Sequence, residues 1–166
     1  MQLLMIRHDV AEPRDPSAGA EADPQRRLTD AGRKRARRAA QGVRRLVEKI
    51  DLLASSGLRR ADETALAVAQ ELGGLRIEQV DALAPGAKPE QLALWLRGAT
   101  GAGTVAVVGH EPGLSTFATW LVSGLSASRL ELGKGGACLI DLPGRIAAGE
   151  GRLLWLLRPG QLRRLR

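Results

Sequence analysis

Met1-Gln2-Leu3-Leu4-Met5-Ile6-Arg7-His8-Asp9 opens the chain with an apolar run that stops at an arginine and a histidine. A short run of this kind fits a buried strand. The same shape recurs at Thr104-Val105-Ala106-Val107-Val108-Gly109-His110, whose unbroken apolar stretch suits a central strand covered on both faces. The chain has only two histidines, and each stands immediately past one of these runs. In open α/β sheets the carboxyl ends of the strands line the ligand crevice. If the two runs are parallel neighbours, His8 and His110 converge there with Arg7 beside them. That grouping suits a phosphate and points to phosphoryl chemistry.

Working outward from these runs, strands and helices alternate. A long loop rich in Pro, Asp, Ala and Gly runs from Val10 to Arg27, a length typical of functional lids or mobile segments. Thr29 is placed to cap a helix whose apolar positions Ala36, Ala39, Val43, Leu46 and Ile50 keep helical spacing. Asp51–Ser55 reads as a second strand, and Arg60–Leu72 as a helix stopped by Gly73-Gly74. A third strand is expected at Arg76–Val80, and a helix opened by Pro89 runs to about Arg97, burying Leu92, Trp95 and Leu96. Pro112 opens a further helix carrying Leu114, Phe117, Ala118 and Leu121. Two last strands, Ala137–Leu142 and Arg152–Leu157, flank a Pro143-Gly144 turn, and the basic tail Gln161–Arg166 is expected to fray. The alternation predicts an α/β three-layer sandwich, with a mostly parallel mixed sheet between helices on both faces. No internal repeat or linker divides the sequence, so residues 1–166 read as one domain.

Composition excludes several classes. The chain starts on a strand-like run with no apolar segment behind basic residues, so no signal peptide is expected. No apolar stretch approaches the ~20 residues that span a bilayer, and the expected location is cytoplasmic with no membrane partner. Cys138 is the single cysteine, which removes a disulfide framework and a cysteine metal site. The net charge of +7 is concentrated: residues 25–45 hold nine Lys/Arg and one acid, Asp30. A basic stripe draws anionic partners. No aromatic residues are interleaved for base stacking, so nucleic acid is disfavoured and a solvated arginine-rich helix face is the better reading. Reversal of charge on the Arg33–Arg45 face is expected to affect association with an acidic partner rather than chemistry.

A third element joins the two histidines. Ser56-Gly57-Leu58-Arg59-Arg60-Ala61-Asp62-Glu63-Thr64-Ala65 follows the second strand and puts a serine and arginines at a strand-to-helix junction. Helix N-termini bind anions through free N–H groups and the helix dipole, and arginine matches phosphate oxygens with a planar fork. With Arg-His at the first strand end, the Ser-x-x-x-Arg-Ala-x-x-Thr-Ala pattern at Ser56, Arg60, Ala61, Thr64 and Ala65, and a late His110, the chain resembles the histidine phosphatases of the phosphoglycerate mutase-like superfamily. Arg26-Arg27-Leu28-Thr29-x-x-Gly32 resembles the family's stretch before its first helix. The short length and the Gly109-His110-Glu111-Pro112 turn are most similar to bacterial SixA-type protein-phosphohistidine phosphatases.

The resemblance implies a phosphoglycerate mutase-like fold and a covalent phosphohistidine on His8. Arg7, Arg60, His110 and the less specifically matched Arg26 would bind phosphate, with no metal and no cofactor. The ring nitrogen of His8 that does not attack should donate to a backbone carbonyl, fixing the tautomer. The implied substrate is a phosphohistidine on a partner protein, such as a histidine-phosphotransfer domain in signal transduction. The alternatives are a small phosphate ester and an inactive relative that binds phosphorylated or nucleic-acid ligands. The adjacent Arg59 is expected to face solvent. Two departures from the pattern stand out. Asp9 replaces the usual glycine, where it would either repel an incoming anion or act as the acid. Larger members of the family carry a Glu after the middle strand, and the corresponding stretch here, Asp81-Ala82-Leu83-Ala84-Pro85-Gly86, has no obvious equivalent, which leaves Asp9 and Glu111 as the candidate acids. Competing motifs fail: Cys138 and Arg145 have six residues between them, not the five of a cysteine phosphatase loop, and Gly101-x-Gly103-x-x-Ala106 precedes a strand instead of following one.

Overall fold

Six strands form one sheet in the order β3-β2-β4-β1-β5-β6. They are β1 (Gln2–Arg7), β2 (Leu52–Ser55), β3 (Ile77–Gln79), β4 (Thr104–Gly109), β5 (Ala137–Asp141) and β6 (Arg152–Leu157). The computed structural model describes residues 1–15, 17, 19–99 and 101–165. The first four strands run parallel, β5 is antiparallel to β1, and β6 is antiparallel to β5. The helices are α1 (Asp30–Leu46), α2 (Arg59–Glu71), α3 (Pro89–Gly98), α4 (Gly113–Ser123) and α5 (Pro159–Leu162).

The period-2 geometry of a strand sends alternate side chains to opposite faces, and β1 feeds both layers in this way. Leu4 and Ile6 join one cluster with Ala39 and Val43 of α1, Ala65 and Val68 of α2, and Leu162 of α5. Leu3 and Met5 join the other with Leu92 and Leu96 of α3 and Phe117 and Leu121 of α4. Helices therefore cover both faces, and the three-layer α/β architecture holds. Thr29 caps α1 as its sequence position implies, its Oγ1 accepting the Gly32 N–H at 2.9 Å. Gly73 and Gly74 end α2 with φ of 97° and 77°, in the left-handed region that glycine takes without strain.

Two expectations fail. Helix α1 ends at Leu46 instead of reaching Ile50, because Val47 turns to extended backbone (φ −127°, ψ 113°) while its N–H still closes on the Val43 carbonyl. Leu46 is thereby left 37% exposed, and Val47 and Ile50 are buried from the connection. The tail does not fray at Leu162, which is fully buried in the α1–α2 cluster. Gly42 of α1 makes this possible, since a Cβ there would overlap the Leu162 carbonyl. Arg166 lies outside the described residues, as do positions 16 and 18 of the long loop. That loop is pinned at its base: the Thr29 N–H and Oγ1 both donate to the Val10 carbonyl (3.0 and 3.2 Å), and Glu12 N–H donates to the Arg27 carbonyl at 2.9 Å.

Leu162→Ala should therefore behave as a core truncation and not as a change in a loose tail. Urea denaturation is expected to show a loss of about 2–5 kcal/mol, the range for a buried leucine. A loss under about 0.5 kcal/mol, as at an ordinary surface site, would return the tail to the solvent.

Candidate active site

The parallel register pairs Arg7 with Gly109, so the next residues, His8 and His110, leave their strands side by side. Their ring centroids lie 4.9 Å apart with planes inclined at 54°, and His8 N–H donates to the Gly109 carbonyl at 3.2 Å. Both side chains are buried, as is Arg60. A cleft of about 400 Å³ at this strand end is lined by Arg7, His8, Arg26, Arg60 and His110, together with Ala11, Glu12, Pro13, Arg14, Pro85, Glu111 and Lys134. The five residues singled out from the sequence are thus brought together.

The Nδ1 of His8 lies 2.7 Å from the Asp9 carbonyl oxygen. A carbonyl only accepts, so Nδ1 carries the hydrogen and the lone pair resides on Nε2. Burial is the largest influence on the ring; the positive charges of Arg60, Arg7 and Lys134 add to it and the Asp9 hydrogen bond opposes it, and the pKa falls to about 4. His110 Nε2 lies 2.7 Å from Ser56 Oγ, which also accepts the Leu58 N–H at 3.3 Å. Burial, then the neighbouring His8 and Arg60, push the His110 pKa down to about 3. Both rings are neutral near pH 7.

The arginines are partly committed. Arg7 Nη1 donates to the Leu132 carbonyl at 2.7 Å. Arg60 donates through Nη1 to the Asp23 carbonyl (2.9 Å) and through Nη2 to Asp23 Oδ2 (3.1 Å). Arg26 donates through Nε to Asp23 Oδ1 (2.9 Å) and through Nη1 to the Glu12 carbonyl (3.0 Å). Burial alone would raise the Asp23 carboxyl, but the charges and hydrogen bonds of Arg60 and Arg26 outweigh it and hold it below the usual carboxylate range. The Nε atoms of Arg7 and Arg60 are buried with no hydrogen-bond partner. Unpaired buried donors are costly, and an oxyanion would satisfy both. Arg59, as expected, faces solvent and pairs with Glu63 at 3.3 Å, its side chain 51% exposed.

Neither candidate acid is poised in the cleft. Asp9 is fully buried and turned away: Oδ1 accepts the Val10 N–H at 2.7 Å, and Oδ2 sits over Gly135, where a Cβ would collide with it. The expected repulsion of an anion by Asp9 is therefore corrected, because the carboxyl points beneath the neighbouring turn and is absent from the cleft lining. Glu111 lines the cleft, but its Oε1 accepts the Leu132 N–H (2.8 Å) and its Oε2 accepts Ser115 Oγ–H (2.6 Å). Asp23, Arg14 and Lys134 are site residues that the sequence reading missed. Asp23 lies in a short 3₁₀ helix, Ala20–Gln25, three residues before Arg26, and Lys134 lies in the glycine-rich turn Gly133-Lys134-Gly135-Gly136. Among the described residues no cluster of three or more His, Cys, Asp or Glu could hold a metal ion, and no helix is long and apolar enough to cross a membrane.

The family model of the histidine phosphatase superfamily (branch 1) matches residues 3–84, which carry Arg7-His8, Arg26 and the Ser56–Ala65 pattern. Over these residues the chain is similar to this superfamily. Solved structures extend the likeness to the whole histidine phosphatase fold. The protein histidine phosphatase SixA complexed with tungstate has a TM-score of 0.83 at 23% identity, with 98% of this chain and 99% of that chain covered. A SixA from Agrobacterium tumefaciens, described as a putative phosphohistidine phosphatase, has a TM-score of 0.76 at 24% identity, over 95% of this chain and 97% of that one. The α-ribazole phosphatase of Shigella flexneri has 0.73 at 16% identity, over 96% and 97%. These similarities establish a shared fold. No curated protein sequence matches this chain.

Burial raises the Asp9 carboxyl above its ordinary 3.8, against the lowering effects of the Val10 N–H and the charges of Arg163, Arg35 and Lys134. A raised folded-state pKa means that the folded protein holds the proton more tightly than the unfolded chain. The contribution of Asp9 to stability is therefore full below its ordinary pKa and is lost as pH rises through the folded value. Asp9→Asn removes that loss, so its urea midpoint at pH 7 should equal or exceed that of the unaltered protein, with the difference shrinking below about pH 4. A clear drop in midpoint at pH 7 would show that the ionised carboxylate stabilises the fold.

Proposed function

We propose that the chain hydrolyses phosphohistidine on a partner protein through a covalent phosphohistidine on His8. The observation that carries this reading is the state of His8: Nδ1 is held by the Asp9 carbonyl, and the ring lies in an arginine-lined cleft with its pKa at about 4. The free lone pair is then on Nε2, the ring is neutral at working pH, and attack on phosphorus needs no prior deprotonation. The new bond forms between phosphorus and His8 Nε2 as the bond from phosphorus to the substrate imidazole breaks. The unpartnered donors on Arg7 and Arg60, with His110 beside them, would hold the equatorial oxygens as charge redistributes, and Arg26 would close the cradle. Water then attacks the phosphoenzyme, releases phosphate and restores neutral His8.

The state of the carboxylates supports a P–N substrate over a P–O ester. An alkoxide leaves poorly without a proton from a positioned acid, which normally contributes roughly 100- to 10,000-fold. Here Asp9 points away from the cleft, Glu111 accepts hydrogen bonds on both oxygens, and Asp23 is held ionised by Arg60 and Arg26. Imidazole, protonated from solvent near neutral pH, leaves without such an acid.

Three measurements test this reading. Rapid quench with labelled substrate should trap an acid-labile, base-stable phosphoenzyme that His8→Ala abolishes; label in the mutant would remove His8 from the reaction. The acid limb of kcat/KM should fall near pH 4, the depressed value of His8, instead of near 6.5. A limb at 6–7 would mean that the nucleophile is solvated. Under identical conditions kcat/KM for a phosphohistidine peptide should exceed that for an alkyl phosphate by at least about 100-fold, the share an acid would supply. Equal rates would turn the assignment to a small-molecule phosphatase.

A further inference from the structure

Because β5 runs antiparallel to β1, the turn that leads into it arrives beside the end of β1. That turn, Leu132–Gly136, is bonded to the residues flanking the candidate nucleophile. Gly135 N–H donates to the Arg7 and His8 carbonyls (3.1 and 3.3 Å), and Arg7 N–H donates to the Gly136 carbonyl (3.1 Å). The Leu132 carbonyl accepts Arg7 Nη1, and its N–H donates to Glu111. Gly135 takes φ +76° and lies against buried Asp9, so the turn is fixed from below as well. Lys134 stands in the middle of it, with an exposed side chain lining the same cleft as His8.

The charge balance gives this lysine a task. Arg26, Arg60 and, at 4.0 Å, Arg14 share one carboxylate, Asp23, which offsets part of their charge, and Arg27 pairs with Glu12. Among the described residues no carboxylate lies within ion-pair distance of Lys134. It is thus a cation with no ion pair among the described residues, on a rigid turn, with three donors on a swinging stem. We propose that Lys134 contacts the phosphoryl group in the cleft and supplies a further positive charge beside Arg7, Arg26 and Arg60. Its proximity is also felt electrostatically at His8, whose pKa its charge helps to lower.

This inference rests on the phosphoryl-transfer reading of the cleft, so its test includes a measurement without turnover. Tungstate, a tetrahedral oxyanion, should bind the full chain, as measured by titration calorimetry at fixed ionic strength. Lys134→Ala and Lys134→Gln should each weaken binding by about 10- to 100-fold, the scale of a lost charged hydrogen bond, and lower kcat/KM for a phosphohistidine peptide by a similar factor. Lys134→Arg should stay within a few-fold of the unaltered protein. Removing a positive charge elsewhere, by Arg37→Gln on the exposed face of α1, should leave tungstate binding within about twofold, since screening weakens charges beyond ~8–10 Å. Unchanged tungstate affinity in Lys134→Ala would overturn the contact. So would an equal loss in Lys134→Arg, which would indicate a disturbed turn, or an equal loss in Arg37→Gln, which would indicate only the overall field. If the unaltered protein binds tungstate but hydrolyses no phosphate compound, the phosphatase reading fails while the tungstate series still decides the role of Lys134.

Discussion

Arg7 and Gly109 face each other across two parallel strands, and nearly every feature of the cleft follows from that pairing. Parallel neighbours end on the same side of a sheet, so two histidines separated by about a hundred residues leave their strands at one level. The register is not free to slip. Moving β1 by one residue would send Leu3 and Met5 to the layer of α1 and α2, and Leu4 and Ile6 to that of α3 and α4, exchanging two packed cores. Packing of apolar side chains on two faces therefore fixes the position of the imidazoles to within a residue, before any polar contact is made. The hydrogen bond from His8 N–H to the Gly109 carbonyl then closes the ladder one step beyond the strand.

The electrostatics of the site come from what its carboxylates are doing. Asp9, Glu111 and Asp23 are each assigned to support, and Glu12 in the cleft lining pairs with Arg27. Asp9 is sealed beneath the Gly133–Gly136 turn, Glu111 ties that turn to the start of α4, and Asp23 draws Arg60 and Arg26 together. What remains facing the cleft is predominantly positive, and the two imidazoles stay neutral because charging either would add a cation to a buried group of cations. The neutral imidazoles and the positive cleft thus share one cause. The burial and positive potential that favour an oxyanion also keep the His8 lone pair available.

The parts of this arrangement that were legible in sequence are those encoded locally. The apolar runs before His8 and His110, the Thr29 cap and the Gly73-Gly74 stop each carry their signal within a few residues. The family pattern matched by the Ser56–Ala65 segment placed Arg60 inward and Arg59 outward. What escaped is non-local. Ile50 keeps the helical period, but Val47 has already left the helix, and periodicity cannot see that change of backbone. Leu162 sits in a short basic tail, and its burial depends on a missing Cβ at Gly42, 120 positions earlier. Lys134 belongs to the cleft only because β5 is antiparallel, a property of sheet topology that no window around Lys134 contains. Asp23 lies in a short 3₁₀ helix, Ala20–Gln25, whose sequence carries no apolar period to report it.

Asp9 shows how such a non-local dependence can resolve a local conflict. At the position where the resemblance leads one to expect glycine, a carboxylate beside an anion site looks incompatible with phosphate binding. The structure separates the two halves of the residue. Its backbone serves the site, since the carbonyl oxygen fixes the His8 tautomer and the N–H donates to Thr64 Oγ1 at 3.2 Å, joining the strand end to α2. Its side chain leaves the site and occupies the volume that Gly135 keeps open by having no Cβ. The need for a small residue has moved from position 9 to position 135, across the antiparallel pair β1–β5. Since Gly135 also takes a left-handed φ of 76° and donates to the Arg7 and His8 carbonyls, it meets three demands that no other residue meets together. Residue 9 is thus constrained through its partner turn, and its carboxyl is accommodated because burial favours the protonated form while the charges of Arg163, Arg35 and Lys134 favour the ionised one.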